Sequence, residues 1–262
     1  ARNKGRVGAK EAPQAVRNAM RNLAADAASP AFCDLGTVTV EGDGLEAGQT
    51  LLAEQVAAAL ETKERVLVLG GGHETAFASY SGLKRKWPDQ QIGIINLDAH
   101  LDLRAMGDAG GSSGTPFYQI RQLDPARFDY LCLGLAEEAN TPALVARARD
   151  WNVDMVFDRD LERDVTIGER KIHALFARSD LVYLTIDIDV LPHFVAPGVS
   201  APAARGVSLP VIERLVDVVL QAAQDGRAAL PLADIVEVSP RFDQDHATAR
   251  VAAYLARKLL LQ

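Results

Sequence analysis

Short apolar runs alternate with segments of helical periodicity along the whole chain, and this alternation limits the fold more than any other feature of the sequence. Six runs have the length and composition of strands that are buried on both faces: residues 65–69, 92–98, 130–135, 153–157, 181–188 and 235–238. Seven segments with apolar residues three or four positions apart predict helices: 13–23, 51–60, 74–86, 143–151, 167–178, 211–223 and 247–261. The sequence therefore predicts a mostly parallel sheet with helices on both faces.

The composition is that of an ordinary soluble globular protein. With 262 residues and 48% apolar side chains, we expect residues 1–262 to form a single domain. A net charge of −7 and the lack of a basic run disfavour nucleic acid as a partner. Because no apolar stretch approaches the roughly 20 residues needed to cross a bilayer, we expect no membrane association and a cytoplasmic location.

Two acidic clusters follow predicted strands. Asp98, His100 and Asp102 come directly after the apolar run IGIINL, and their spacing of two directs all three side chains to one side of an extended backbone. Asp187 and Asp189 end the run LVYLTIDID with the same spacing. Because the carboxyl ends of parallel strands meet at one edge of a sheet, both clusters are expected to face one cleft.

A third candidate is His73, in VLVLGGGHETAF, where three glycines separate a predicted strand from a helix. The segment lacks both G-K-[ST] and the G-x-G-x-x-G continuation, which disfavours a phosphate loop or a dinucleotide turn. A histidine that only shapes the turn is the simpler interpretation. Its position at another strand's carboxyl end favours a ligand instead.

The charges of these residues indicate metal. Four aspartates would repel one another if they were clustered without cations, whereas two divalent ions contribute a charge of +4. An oxygen-rich set with two imidazoles suits Mn²⁺ better than Zn²⁺, so two Mn²⁺ ions are the expected cofactors. Such a pair can share a water and lower its pKa enough to form hydroxide, the expected nucleophile.

The three motifs resemble those of the ureohydrolase family, which includes arginase, agmatinase and formimidoylglutamase. GGGH stands at 70–73, DAHLD at 98–102 and DID at 187–189, in the family's order and spacing. The likeness extends from GRVGAKEAP at 5–13 to VEVSP at 236–240 and the last helix. The resemblance implies a three-layer α/β/α sandwich around about eight strands, of which the first would precede Ala1, and a homo-oligomer.

The resemblance also implies individual roles. The ligands of the two ions would be His73, Asp98, His100, Asp102, Asp187 and Asp189. Asp102 would in addition relay a proton to the leaving amine. Glu237, in VEVSP, occupies the position at which the family holds a cationic guanidinium or amidine through charge-assisted hydrogen bonds.

The loop after the second motif bears on the substrate. The arginase and agmatinase branches carry a histidine before Gly-x-Pro, and here Ser113 takes its place in SSGTPF, which disfavours guanidine hydrolysis. This loop resembles the formimidoylglutamase branch, as do HETAF at 73–77, LDLR at 101–104 and APGVSAPAARGVS at 196–208. The implied reaction is hydrolysis of N-formimidoyl-L-glutamate to L-glutamate and formamide.

The two carboxylates of such an amidine substrate require polar and cationic partners. Arg104 and Arg205 lie in loops beside metal motifs, and Ser113 and Asn140 are further candidates. Next to Asn140, helix capping by Thr141 before Pro142 is an equally good interpretation. Three alternatives remain open: a ureohydrolase acting on a guanidino acid or agmatine, a non-catalytic protein with this fold, and a nucleotide-binding α/β protein.

Overall fold

A sheet of six strands runs through the centre of the computed structural model, which describes residues 6–24, 31–40 and 42–261. The strands are β1 (Val66–Leu69), β2 (Ile92–Leu97), β3 (Asp129–Leu135), β4 (Asp154–Phe157), β5 (Leu181–Asp187) and β6 (Ala229–Val236). Their order is β1-β6-β5-β2-β3-β4, and every pair is parallel. All carboxyl ends therefore lie at one edge of the sheet.

Helices cover the sheet on both faces. Within the described ranges they are α1 (Ala12–Met20), α2 (Leu45–Ala59), α3 (Thr75–Lys86), α4 (Pro116–Leu123), α5 (Pro142–Asp150), α6 (Asp158–Arg163), α7 (Thr166–Phe176), α8 (Leu209–Gln224) and α9 (Ala247–Leu261). Proline occupies the first turn of α4, α5 and α8, where its missing N–H costs no hydrogen bond.

The strands divide their side chains between two apolar cores. Along β2, Ile95 and Leu97 pack into a core that also contains α1 and α6–α9. Ile92 and Ile94 point to the opposite face and pack with α2–α5. This alternation is the period of two expected of an extended chain, and it explains why all six residues of β2 are buried.

The architecture is the predicted three-layer α/β/α sandwich, with two differences in its sheet. The sheet has six strands in the described residues, rather than about eight, and β1 is an edge strand. The strand expected ahead of Ala1 lies outside the described residues. Strand β6 begins at Ala229, six residues before the predicted start. In the described part of the chain, no helix has the length and apolar character required to span a membrane.

Candidate metal centre

The first candidate ligand follows a glycine turn in which Gly70 leaves no room for a side chain. Gly70 donates its N–H to Ile235, and a Cβ at Gly70 would lie 2.8 Å from Val236 Cγ1. The turn is thereby pressed against the carboxyl end of β6. It delivers His73, which is completely buried, to the edge where β2 and β5 also end.

One group of ligand atoms surrounds the His73 imidazole. Its Nδ1 lies 3.1 Å from Asp98 Oδ2, 3.1 Å from Asp102 Oδ2 and 3.2 Å from Asp187 Oδ2. The four residues come from the glycine turn, the loop after β2 and the end of β5. Together they form a group whose ligand atoms all lie within 4.8 Å of one another.

A second group adjoins the first through Asp98. His100 Nδ1 lies 3.4 Å from Asp98 Oδ1 and 3.2 Å from Asp189 Oδ2. The other oxygen of Asp98 faces His73, so this carboxylate stands between the two groups. Two turns hold the acids in place: the His100 N–H donates to Asp98 Oδ1, and the Asp189 N–H donates to Asp187 Oδ1.

The unsatisfied atoms of this cluster fit bound cations. Among the residues that the structure describes, His73 Nδ1 has no partner in hydrogen-bond geometry although three carboxylate oxygens surround it, and Asp189 Oδ1 is also buried without a partner. Adjacent ligands of an octahedral ion at about 2.1 Å lie about 3 Å apart. The contacts around His73 match that spacing, and the donor set of carboxylates and imidazoles suits a divalent ion.

The electrostatics of the cluster agree with this fit. Burial raises the pKa of Asp102, Asp187 and Asp189, and the neighbouring imidazoles do not overcome it. For Asp98, burial acts in the same direction, but the two imidazoles that face it, His100 first and then His73, outweigh burial and lower its pKa. The cluster therefore carries more negative charge than its surroundings neutralise, which divalent cations would correct.

Glu237 is held beside the cluster by two donors. Its Oε1 accepts the His73 N–H at 2.8 Å, and its Oε2 accepts the Ser200 hydroxyl at 2.6 Å. Burial and the neighbouring Glu74 raise the pKa of Glu237 to about 7. A buried carboxylate that faces a cavity, with lone pairs left over, can receive a planar cation such as an amidinium.

The other residues predicted to bind substrate differ in whether they line the cavity next to Glu237. Half-buried Ser113 lines the same cavity as Glu237, Glu74 and Ser200. Arg104 is exposed, and its side chain packs against Gly114, next to Ser113. Arg205 is also exposed, with its charge acting on Asp158, and it does not line that cavity.

Asn140 has a structural role in this geometry. Its Oδ1 accepts the Leu101 N–H, and its Nδ2 donates to the carbonyl oxygens of Ala99 and Ala136. These bonds occupy the buried amide, so the geometry favours loop support over the predicted contact with substrate. Thr141 caps α5 by accepting the Leu144 N–H.

Sequence reasoning missed three polar residues that contact the site. Asn96 donates to Asp98 Oδ2 at 2.9 Å, Ser200 donates to Glu237, and Thr185 Oγ1 lies 3.0 Å from His73 Nε2. Asn96, on β2, precedes Asp98 by two residues, and Thr185, on β5, precedes Asp187 by two. The period of two that identified the ligands could have found them as well.

Comparison with known proteins agrees with this centre. The model of the arginase family matches residues 1–262. A formimidoylglutamase of Aeromonas salmonicida is 48% identical over 263 residues, 98% of this chain and 82% of that protein. The structure of Trypanosoma cruzi formiminoglutamase with Mn²⁺ superposes with a TM-score of 0.85 at 25% identity, covering 99% and 88% of the two chains. Bacillus subtilis formimidoylglutamase has the same fold, with a TM-score of 0.85 at 23% identity over 95% and 79%.

Proposed function

Because this chain belongs to the arginase family, we propose that it hydrolyses N-formimidoyl-L-glutamate to L-glutamate and formamide. The observation that carries the proposal is the pair of ligand groups joined at Asp98, with the Glu237 carboxylate held beside them. Nearly full-length similarity to curated formimidoylglutamases supports the choice of substrate. Ser113, in place of the histidine of the arginase and agmatinase branches, supports it further.

We propose that the resident metal is Mn²⁺, with two ions per chain. One would be held by His73, Asp98, Asp102 and Asp187, and the other by Asp98, His100 and Asp189. When bound, such ions lower the pKa of a coordinated water and polarise the amidine. The donor set favours Mn²⁺ over Zn²⁺, and the T. cruzi relative was solved with Mn²⁺.

The protein's own residues would orient the substrate and move protons. Glu237 would pair with the cationic amidinium, because both of its oxygens are anchored and the carboxylate cannot rotate away. Asp102 would carry a proton to the departing glutamate nitrogen. Its side chain is 14% exposed, whereas those of Asp98 and Asp187 are 0% and 2% exposed, so it is the acid of its group that can reach substrate.

The glutamate carboxylates would meet the loop after the second ligand motif. Arg104 follows Asp102 by two residues, and its side chain lies against Gly114, the residue after Ser113, so a guanidinium and a hydroxyl of this loop would be available to bind them. Arg205 would contribute positive charge from the loop after β5. On the family resemblance, we also propose that the protein works as a homo-oligomer.

Product analysis tests the proposed function. The Mn²⁺-loaded protein is expected to release formamide from formimidoylglutamate and no urea from arginine or agmatine. Glu237→Gln should lower kcat/KM by at least about 100-fold through loss of the charged partner. Glu138→Gln, which removes an exposed acid, is the matched control and should behave as wild type. Urea release without formamide would overturn the substrate assignment.

A further inference from the structure

A buried carboxylate outside the ligand set lies on β6, beneath the metal centre. Asp234 is completely buried, and its Oδ2 accepts hydrogen bonds from the hydroxyls of Ser79 and Tyr183. Its Oδ1 has no hydrogen-bond partner among the described residues. A buried anion is costly unless donors or cations compensate it, so its position requires an explanation.

Thr185 connects this carboxylate to the metal centre. It pairs with Asp234 in the β5–β6 register, so the two buried side chains lie next to each other on the same face of the sheet. On its other side, Thr185 Oγ1 lies 3.0 Å from His73 Nε2. Three buried side chains on neighbouring segments thus form a chain that ends at a ligand imidazole.

The protons along this chain have one consistent arrangement when His73 binds an ion. Nδ1 faces the carboxylates and must be deprotonated to act as a ligand, so Nε2 carries the hydrogen and donates it to Thr185. The Thr185 proton is then free to be donated toward Asp234. Outer carboxylates that fix the tautomer of a ligand histidine strengthen metal binding, and here a threonine hydroxyl would transmit the effect.

We propose that Asp234, acting through Thr185, is a positioning residue that fixes the His73 tautomer and strengthens binding of the ion held by His73. This inference rests on the two-ion centre of the proposed function. It does not depend on which substrate that centre hydrolyses. The group that would hold the second ion, Asp98, His100 and Asp189, includes none of these three side chains, so the effect should be confined to one of the two ions.

Calorimetric titration of the metal-free protein with Mn²⁺ tests this inference without substrate. Thr185→Val keeps the side-chain shape and removes the hydroxyl, and it should weaken one of the two binding steps by about 10- to 100-fold. Thr185→Ser retains the hydroxyl and should bind as wild type does. Asp234→Asn should weaken the same step, and the double variant should be little weaker than Thr185→Val alone, because both changes break the same chain.

Ser79→Ala separates this role from a merely structural one. It removes a hydrogen bond to Asp234 that does not lead to His73, so it should lower the melting temperature and leave both Mn²⁺ affinities unchanged. Equal affinities in Thr185→Val and Thr185→Ser would overturn the inference, as would equal weakening of both steps. If Thr185→Val does not fold, an unchanged titration of Asp234→Asn overturns it, and selective weakening supports it. The proposed function is tested independently, by measuring whether the wild type releases formamide, so failure of one proposal can be distinguished from failure of the other.

Discussion

At the scale of single residues, the site contains backbone strain. Asp102 and Glu237 adopt the left-handed region, with φ of 46° and 66°, although neither is glycine. Such conformations cost about 1–3 kcal/mol each unless the surroundings hold them. The surroundings hold Glu237 in this conformation, because its N–H donates to the Gly71 carbonyl oxygen and its carboxylate accepts the His73 N–H. The strain is consistent with positions that are maintained for chemistry rather than for stability.

Glu237 should also make the stability of the metal-free protein depend on pH. Burial, followed by Glu74, raises its pKa from 4.5 to about 7, so the folded state holds this proton more tightly than the unfolded state does. Its contribution is therefore fully present below about pH 4.5 and is lost as the pH rises through 7. By linkage the loss is on the order of 3 kcal/mol.

Denaturant unfolding at several pH values checks this prediction. Between about pH 4.5 and pH 8, the free energy of unfolding of the wild type should fall relative to that of Glu237→Gln, which cannot ionise. Glu138→Gln, at an exposed position, should follow the wild type at every pH. Parallel curves for wild type and Glu237→Gln would show that Glu237 has no raised pKa.

The sequence alone identified the candidate ligands that the structure brings together, but not the residues that hydrogen-bond to them. Asp98 and Asp187 follow long apolar runs, and few roles other than metal binding bring acids to such a place. Hydroxyls such as Ser200 and Thr185 are common throughout proteins, and only their distances to Glu237 and His73 distinguish them. The positions of these residues in the sequence do not reveal which side chains lie within hydrogen-bond distance in the folded protein.

At the scale of elements, the loop after β2 depends on a neighbouring loop. Asn140, which follows β3, binds backbone groups of Ala99, Leu101 and Ala136. The loop from Asp98 to Asp102 carries three of the candidate ligands, and its backbone conformation determines where they point. We therefore expect Asn140 to affect the metal centre through the backbone of this loop.

Asn140→Ala tests that assignment. The change leaves buried backbone groups unpaired and should destabilise the protein by about 2–4 kcal/mol, with weaker Mn²⁺ binding. Thermal unfolding and metal titration measure these effects, and KM at saturating Mn²⁺ should stay close to the wild-type value. Asn18→Ala, at an exposed position of α1, is the control. A large rise in KM with unchanged stability would instead favour contact between Asn140 and substrate.

Strands and helices were missed or mis-bounded where their apolar residues do not recur with the period of a strand or a helix. Strand β6 was predicted to start at Ile235 because Pro231 and Asp234 interrupt its apolar pattern, yet the structure buries that aspartate. Helices α4 and α6 are eight and six residues long, too short for a periodic signal to emerge. The central strands β2 and β5 were predicted closely, since both are buried along their whole length.

At the scale of the whole molecule, the parallel sheet concentrates charge. Ligands that are 116 residues apart in sequence, such as His73 and Asp189, meet because every strand ends at the same edge. The cores on both faces fix the position of that edge, and hydrogen bonds within the cluster, such as that from the Asp189 N–H to Asp187 Oδ1, orient the acids there. Repulsion among the acids is then the cost that bound cations offset, and metal should raise the melting temperature.

The number of Mn²⁺ ions bound per chain tests the two-ion centre most directly. Metal-free protein, reloaded and freed of excess metal, should contain two ions per chain by elemental analysis. Asp98→Asn removes the carboxylate common to both groups and should weaken both ions, whereas Asp108→Asn, at an exposed position nearby, should retain two. A single ion in the wild type, or two ions retained in Asp98→Asn, would contradict a centre joined at Asp98.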